Sequence, residues 1–377
     1  HQLVLSNASE WLASQLERCS SSTGASELGC GGLPAASTSD RRPVLRIPLP
    51  SEAEVPSARS AIRFAYTGDV DAASIREALQ VRRQAVRLQI KGCTAACDDI
   101  IQAKLSAAAA ATAGAVSGAS SSQQAGGSSS NAAAGGGGAG GNSSRGISAQ
   151  QLPAVLELYA CEALWPDSCK NNGGGADADD GPSFAAILEA AKPQLVSYFG
   201  DALRVLNTPP LRQQLLALPA VAVEALLESD SFGTDSESSV LLLLAAWMKV
   251  NYGKTDTATR KRLCRQVRLV QLSRPYLGFI LPALARDHEL SPQLPAGWFP
   301  ISVTEAAFIA HVAGAPSEHE RTELLKGAFD FYDVFQPSYN TTARTQSLPP
   351  RDLTCCWHVP QRLLERALAG LHPGGTV

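Results

Sequence analysis

Apolar and polar positions alternate in blocks between residues 226 and 277, and the blocks predict two packed helices. Residues 240–248 are apolar almost all round, which is typical of a helix that packs on several sides. Thr234 and Glu237 precede this run at the S/T-x-x-E spacing of a capping box, so we expect the helix to begin there. At nine residues, the apolar run is too short to cross a bilayer.

A basic amphipathic helix is predicted after the polar turn that follows. Lys261, Arg265 and Arg268 recur at i, i+4 and i+7, which places them on one helical face. We expect that basic face to be solvated and the opposite face to pack. The apolar positions of the opposite face are Leu263, Val267 and Val270.

Local chemistry in the first hundred residues predicts where two helices end and begin. Gly68 supplies the permissive backbone that ends a preceding helix. Ser74 and Glu77 form a second capping pair, which predicts the start of another helix. Local patterning therefore indicates two successive helices joined by a turn in this part of the chain.

Four sequence elements of the helical hairpin resemble, in order, the BACK domain that follows BTB/POZ domains in ubiquitin-ligase adaptors. They are LLESDSF, SESSVLLLLAAW, RKRLCRQVRLVQLS and PYL. The resemblance implies a BACK domain over residues 148–290, in which Phe184 to Phe199 is similar to the early helices. It also implies that a BTB domain precedes it.

Residues 1–104 resemble part of a BTB/POZ domain, which implies an α+β segment with residues 44–49, VLRIPL, as its short strand. The motif YTG at residues 66–68 before an acidic turn is similar to a hallmark of that family, and residues 84–97 resemble its helix ending in Cys97. We expect a Ser/Gly-rich insertion at residues 19–42, and we expect the remaining helix and hairpin of the domain to precede His1. The missing part would contain the dimer contact of the family.

The predicted fold is mostly α-helical: an α+β BTB remnant followed by an all-α BACK helical-hairpin domain. Residues 105–147 are rich in Ala, Gly and Ser and lack large apolar side chains, so they predict a disordered low-complexity linker whose Ala-rich start extends the preceding helix. Residues 291–336 predict a C-terminal helical extension of the BACK domain. Its capping boxes are Ser302 with Glu305 and Ser317 with Glu320. Residues 337–377 predict a loop and a short terminal helix.

Cysteine is the only residue type whose placement suggests chemistry. Cys93 and Cys97 lie at i, i+4 on a predicted helix, where they fit a core better than a metal site because no second pair accompanies them. Cys356 and His358 suggest a thiol hydrolase only remotely, since no orienting Asn or Asp is evident. We therefore predict no enzyme, no cofactor and no metal.

The predicted partners are a cullin-3-type scaffold and a client protein for ubiquitination. The resemblance places the cullin contact near Leu16, Glu17 and Glu27, and it allows a homodimer through the missing BTB region. A net charge of −3 argues against nucleic-acid and membrane partners, and we expect a location in the cytoplasm or nucleus. The tether and the Ser/Gly-rich insertion favour an alternative, a BTB-BACK scaffold or transcription-linked protein that binds no cullin.

Four aromatic residues near the end of the predicted extension leave two interpretations open. They either form an exposed ridge that binds a client or complete a core, and aromatic residues at this density favour a core. The four are Phe329, Phe331, Tyr332 and Phe335.

Overall fold

The computed structural model describes residues 1–23, 45–117, 153–166, 184–328, 332 and 336–345. The chain divides into two compact units, His1–Ala191 and Lys192–Val377. The described residues are mostly helical, as predicted, and their β pairing is limited to isolated bridges between Ser9 and Ile90 and between Asp201 and Gly233. Within these residues, no helix is both long and apolar enough to span a membrane.

The first unit is built from α-helices that pack mainly in the order in which the chain makes them. Helices α3, α4 and α5 contact one another, and α6 packs on α4 and α5. Helix α7 continues beyond the division between the units. The bounds are α1 (Gln2–Ala8), α2 (Glu10–Thr23), α3 (Val55–Thr67), α4 (Ile75–Leu88), α5 (Cys93–Ser117), α6 (Ala154–Ala160) and α7 (Phe184–Phe199).

The turn between α3 and α4 confirms two predictions from local sequence. Gly68 ends α3 with φ 73°, and its backbone N–H donates to the Phe64 carbonyl at 2.8 Å. Ser74 caps α4 by accepting from the Glu77 N–H at 3.1 Å, while the Glu77 carboxylate accepts from the Ala73 N–H at 2.8 Å. The two residues therefore satisfy amide groups at the start of α4 reciprocally.

The strand predicted at residues 44–49 is wrong for the residues that the structure describes. Residues 45–49 form no strand, and the Pro48 carbonyl accepts a hydrogen bond from the Arg87 side chain instead. Pro48 and Pro50 lack the backbone N–H that a ladder needs, and no described strand is available to pair with them.

The Ala-rich start of the predicted linker continues helix α5 as far as Ser117. Alanine has the highest intrinsic helix propensity, which explains why the helix persists without large side chains. The rest of the predicted linker, residues 118–147, lies outside the described residues.

The second unit is organised around one central helix, α11. Its side chains are buried on several faces, as the apolar run predicted, and the Trp247 indole N–H donates to the Leu218 carbonyl at 3.0 Å. The bounds are α8 (Ala202–Asn207), α9 (Pro209–Ala217), α10 (Ala220–Glu228), α11 (Glu237–Asn251), α12 (Thr257–Arg265), a π-helical turn (Tyr276–Ile280), α13 (Leu281–Leu290), α14 (Val303–Gly314) and α15 (Glu318–Gly327).

The capping box predicted at Thr234 and Glu237 is wrong. Helix α11 begins at Glu237, and its cap is Ser236, whose hydroxyl accepts from the Ser238 N–H at 3.1 Å. The Thr234 hydroxyl donates to the Ser236 carbonyl at 2.6 Å and so forms a turn before the helix. Glu237 does not reach back to the cap because its carboxylate is held by arginine and backbone donors, described below.

The basic helix is shorter than predicted, and one of its three basic residues is misplaced. Helix α12 ends at Arg265, so Arg268 leaves the helical face and is only 3% exposed rather than solvated. The predicted packing of the other face is confirmed, because its three apolar residues are buried: Leu263, Val267 and Val270.

The caps of the last two helices are confirmed. Ser302 accepts from the Glu305 N–H at 3.1 Å, and Ser317 accepts from the Glu320 N–H at 3.2 Å. The Glu305 carboxylate accepts from the Tyr339 hydroxyl at 2.9 Å. The sequence therefore located both helix starts correctly.

Candidate interaction surfaces

Residues 336–345, which we call the strap, form hydrogen bonds to distant parts of the second unit. The Ser338 hydroxyl donates to the Arg265 carbonyl at 3.0 Å. At the other end, the Thr345 N–H donates to the Asp230 carbonyl at 3.0 Å, and the Thr345 carbonyl accepts from the Thr234 N–H at 3.1 Å. Both ends of the strap are thus fixed by backbone or side-chain hydrogen bonds.

Arg344 is the deepest anchor of the strap. Its guanidinium Nε lies 3.1 Å from Glu237 Oε2, and the two side chains are 0% and 2% exposed. Its other nitrogens donate to the Ser229 carbonyl at 2.8 Å and the Gln266 carbonyl at 2.9 Å. Burial lowers the pKa of Arg344 while Glu237 opposes that shift. With its donors paired, the buried guanidinium has the partners that a buried charge requires.

A second ion pair extends this network to the cavity beside it. Arg268 pairs with Asp230 and donates to the Thr342 carbonyl of the strap at 2.7 Å. The Arg268 backbone N–H also donates to Glu237 Oε1 at 2.8 Å. The carboxylate of Glu237 therefore joins the strap, helix α11 and the segment after α12.

A cavity of about 390 Å³ opens beside the strap. Its wall includes Glu228, Asp230, Arg268, Asn340 and Arg344. Arg268 pairs with Asp230 within the wall, whereas Arg344 pairs with Glu237 and Glu228 pairs with Lys192. The wall therefore offers charged groups of both signs, each with a partner of opposite charge.

The cysteine pair of the first unit belongs to the core. Cys93 and Cys97 are fully buried beside Ala61 and Ala85. The Cys97 thiol donates a hydrogen bond to Cys93, and this bond together with burial raises the pKa of Cys97, which keeps that thiol protonated and unreactive. Across the part of the chain that the structure describes, no group of His, Cys, Asp or Glu side chains is arranged to hold a metal ion.

The predicted cullin-contact residues are only partly placed. Leu16 is half-buried and Glu17 is exposed, both on helix α2. Glu27 lies outside the described residues, as do Cys356 and His358. The structure therefore places two of the three predicted contact residues together on one helix and leaves their role a prediction.

One member of the predicted aromatic group contributes to packing. The Tyr332 ring stacks on Phe308 with centroids 5.0 Å apart, and it also lies near Tyr339 of the strap. The other three aromatic residues, Phe329, Phe331 and Phe335, lie outside the described residues.

Sequence reasoning missed the strap and its anchor. Arg344 stands in a stretch rich in Pro, Ser and Thr that predicts a loop, and its carboxylate partner lies 107 residues earlier. Asp230 and Glu237 fell within recognised motifs, but nothing in their local spacing indicates a distant arginine. The only available signal was a single arginine in an otherwise uncharged segment, residues 337–350.

Residues 209–280 match a protein-family model, BACK, described as BTB And C-terminal Kelch. The match begins with helix α9 and ends with the π-helical turn, so it covers the hairpin of α11 and α12 together with its neighbours. No curated protein and no solved structure matches the chain. The second unit thus contains a segment that matches the BACK family model, whereas the BTB character of residues 1–104 stays a prediction.

Proposed function

We propose that this protein is a non-enzymatic interaction adaptor that brings a client protein to a cullin-3-type ubiquitin ligase in the cytoplasm or nucleus. The observation that carries the proposal is the BACK match at residues 209–280, which falls on a well-packed helical unit. BACK domains accompany BTB domains in adaptors of this class.

The mechanism of such an adaptor is proximity. Two binding surfaces on one chain raise the effective concentration of a client near the ligase, and the adaptor itself makes or breaks no covalent bond. The buried thiols of Cys93 and Cys97 agree with this mechanism, because neither is accessible to a substrate.

The proposed cullin contact is centred on helix α2. Glu17 supplies an exposed carboxylate and Leu16 a half-buried apolar side chain, so together they offer a mixed apolar and acidic contact. Glu27 belongs to the same proposed contact. The cavity beside the strap is the proposed contact for the client, because its wall has polar groups from three separate segments.

Binding of the purified chain to a cullin-3-type scaffold, measured by calorimetry, tests the proposal. We expect saturable binding that Glu17→Lys weakens at least about tenfold, because the charge reversal places a cation in the contact. Glu320→Lys is the matched control, since Glu320 is an exposed glutamate on α15 in the other unit. Leu16→Ala serves as a second variant, with circular dichroism to establish that it is folded.

A scaffold that binds no cullin is the second candidate function. One observation favours it: residues 45–49 form no strand, although the BTB resemblance predicts one there. Absence of binding by a chain with full helicity and cooperative unfolding would reject the ligase adaptor and leave the scaffold. Equal weakening by Glu17→Lys and Glu320→Lys would reject the proposed contact on α2.

A further inference from the structure

The helix that follows the matched segment has an exposed stripe in addition to its buried one. Phe279 is 78% exposed and Leu290 is 70% exposed, and Ala283 and Arg286 between them are also exposed. These four residues, which we call the outer stripe, run along the π-helical turn and α13. The buried stripe of the same helix comprises Leu277, Leu281, Leu284 and Ala285.

The spacing of the outer stripe is that of a helix–helix contact. Its members lie at i, i+4, i+7 and i+11, the pattern of alternating a and d positions along a seam between two helices. The order of the intervals, 4, 3 and 4, is the same whether the helix is followed from its N terminus or from its C terminus. A stripe with this symmetry can face a copy of itself across a twofold axis, which requires one patch to complement itself.

The two ends of the outer stripe differ in a way that fits such a pairing. Two further exposed apolar residues follow Leu290 in the chain: Leu294, 48% exposed, and Val303, 41% exposed. Val303 is held near this end of α13 because its N–H donates to Glu289 Oε1 at 2.7 Å. One end of the stripe therefore projects the Phe279 ring, and the other end offers a broader apolar seat.

We propose that the outer stripe is a docking surface for a second copy of this chain, with the two helices antiparallel. Phe279 of each copy then packs on Leu290 of the other, and Ala283 faces Arg286. The small alanine leaves room for the aliphatic part of the arginine side chain. Each pairing occurs twice because of the twofold axis.

The twofold axis places the two Arg286 residues about 4.5 Å apart along the helix direction, so each cation needs a carboxylate nearby. Arg286 forms no ion pair among the described residues. Side chains on a helix lean towards its N terminus, and in this arrangement that direction leads to Asp287 of the second copy. The offset between the two residues along the axis is about 6 Å by helix rise, which an arginine side chain spans.

The size of the surface sets the strength of the dimer. About three turns of helix from each copy bury less than the roughly 1,600 Å² of a standard interface, so the dimer is weak and concentration-dependent. This contact lies in the second unit and does not depend on whether the protein binds a cullin.

Sedimentation velocity of the full chain from about 1 to about 100 µM tests the proposal. We expect a reversible monomer–dimer equilibrium whose dissociation constant Phe279→Asp raises at least about tenfold, since the twofold axis removes two aromatic anchors and places two carboxylates in the contact. Val250→Asp is the matched control, because Val250 is 51% exposed and lies outside the outer stripe. Circular dichroism and thermal unfolding establish that both variants are folded.

Cross-linking tests the orientation independently. A mixture of Phe279→Cys and Leu290→Cys chains is expected to form more disulfide-linked dimer than either variant alone, and the unchanged chain gives the background from its own cysteines. A monomer at every concentration, or a dimer that Phe279→Asp leaves as tight as before, would overturn the proposal. A mixture that cross-links no more than the single variants would also overturn it. That result would be expected if the stripe bound a client helix instead of a second copy.

Discussion

Each unit of the molecule contains a buried arginine–carboxylate pair, and the two pairs connect very different lengths of chain. In the first unit, Arg82 Nε lies 2.8 Å from Asp98 Oδ1, and the residues are 16 positions apart on the neighbouring helices α4 and α5. In the second unit, Arg344 and Glu237 are 107 positions apart. The first pair braces a local helical hairpin, whereas the second closes a long loop.

The environments of the two pairs differ as well. The Arg82 side chain is 15% exposed and its guanidinium lies 5.1 Å from the Phe184 ring centroid, so water and the aromatic face share in its stabilisation. Arg344 is 0% exposed and depends wholly on protein acceptors. Residue 344 is therefore part of the packed interior of the second unit, although the family match within that unit ends at residue 280.

The largest expected effect is loss of the long-range pair. We expect Arg344→Met to lower the free energy of unfolding by about 3–5 kcal/mol, because it leaves the Glu237 carboxylate buried without its cation. Denaturant unfolding followed by tryptophan fluorescence measures this, since Trp247 and Trp298 are buried in the same unit. A loss below about 1 kcal/mol would mean that the strap does not hold this unit together.

A smaller effect is expected from the local pair. We expect Arg82→Met to cost about 1–3 kcal/mol, because Arg82 is partly solvated and methionine can still cover the Phe184 ring. The same denaturant titration provides the measurement. A cost equal to that of Arg344→Met would remove the distinction between the local and the long-range pair.

The smallest expected effect on stability comes from an exposed carboxylate, in contrast to the two buried pairs. Hydrogen bonds from Thr259 lower the pKa of Asp256, the cap of α12. The resulting stabilisation is fully present above the ordinary aspartate pKa of about 3.9, and it disappears as the pH falls through the lower folded-state value.

Asp256→Asn tests this pH dependence because asparagine remains a good cap but does not titrate. We expect the unchanged chain to lose stability relative to the variant as the pH is lowered from about 6 to about 3. Thermal unfolding at a series of pH values provides the comparison. A stability difference that is constant over this range would contradict the assigned cause.

Sequence predicted what depends on a few neighbouring residues. Gly68 and the caps at Ser74, Ser302 and Ser317 were located correctly because turn and cap chemistry involves groups at most four positions apart. The apolar run of α11 was also correct, since burial on all sides is visible in composition alone.

What sequence did not predict depends on distant partners. The strand at residues 44–49 required a neighbour to pair with, and Arg268 required knowledge that α12 ends at Arg265. Glu237 appeared to be a capping residue because its spacing from Thr234 fits that role. Its actual partner, Arg344, is fixed only by the tertiary structure. The same limit applies to the predicted cullin contact, because the partner of half-buried Leu16 and exposed Glu17 is not encoded in their local sequence.

A double-mutant cycle between Glu237 and Arg344 tests directly whether the strap is an integral part of the unit that contains the matched segment. Glu237→Gln keeps an acceptor for the Arg268 N–H while removing the charge, and Arg344→Met removes the cation. We predict that the double variant is more stable than the sum of the two single losses implies, with a coupling energy of at least about 2 kcal/mol. If the stability losses of the two single variants add up to that of the double variant within about 0.5 kcal/mol, the strap is not an integral part of the unit. Such additivity would show that the two residues do not stabilise one another across the fold.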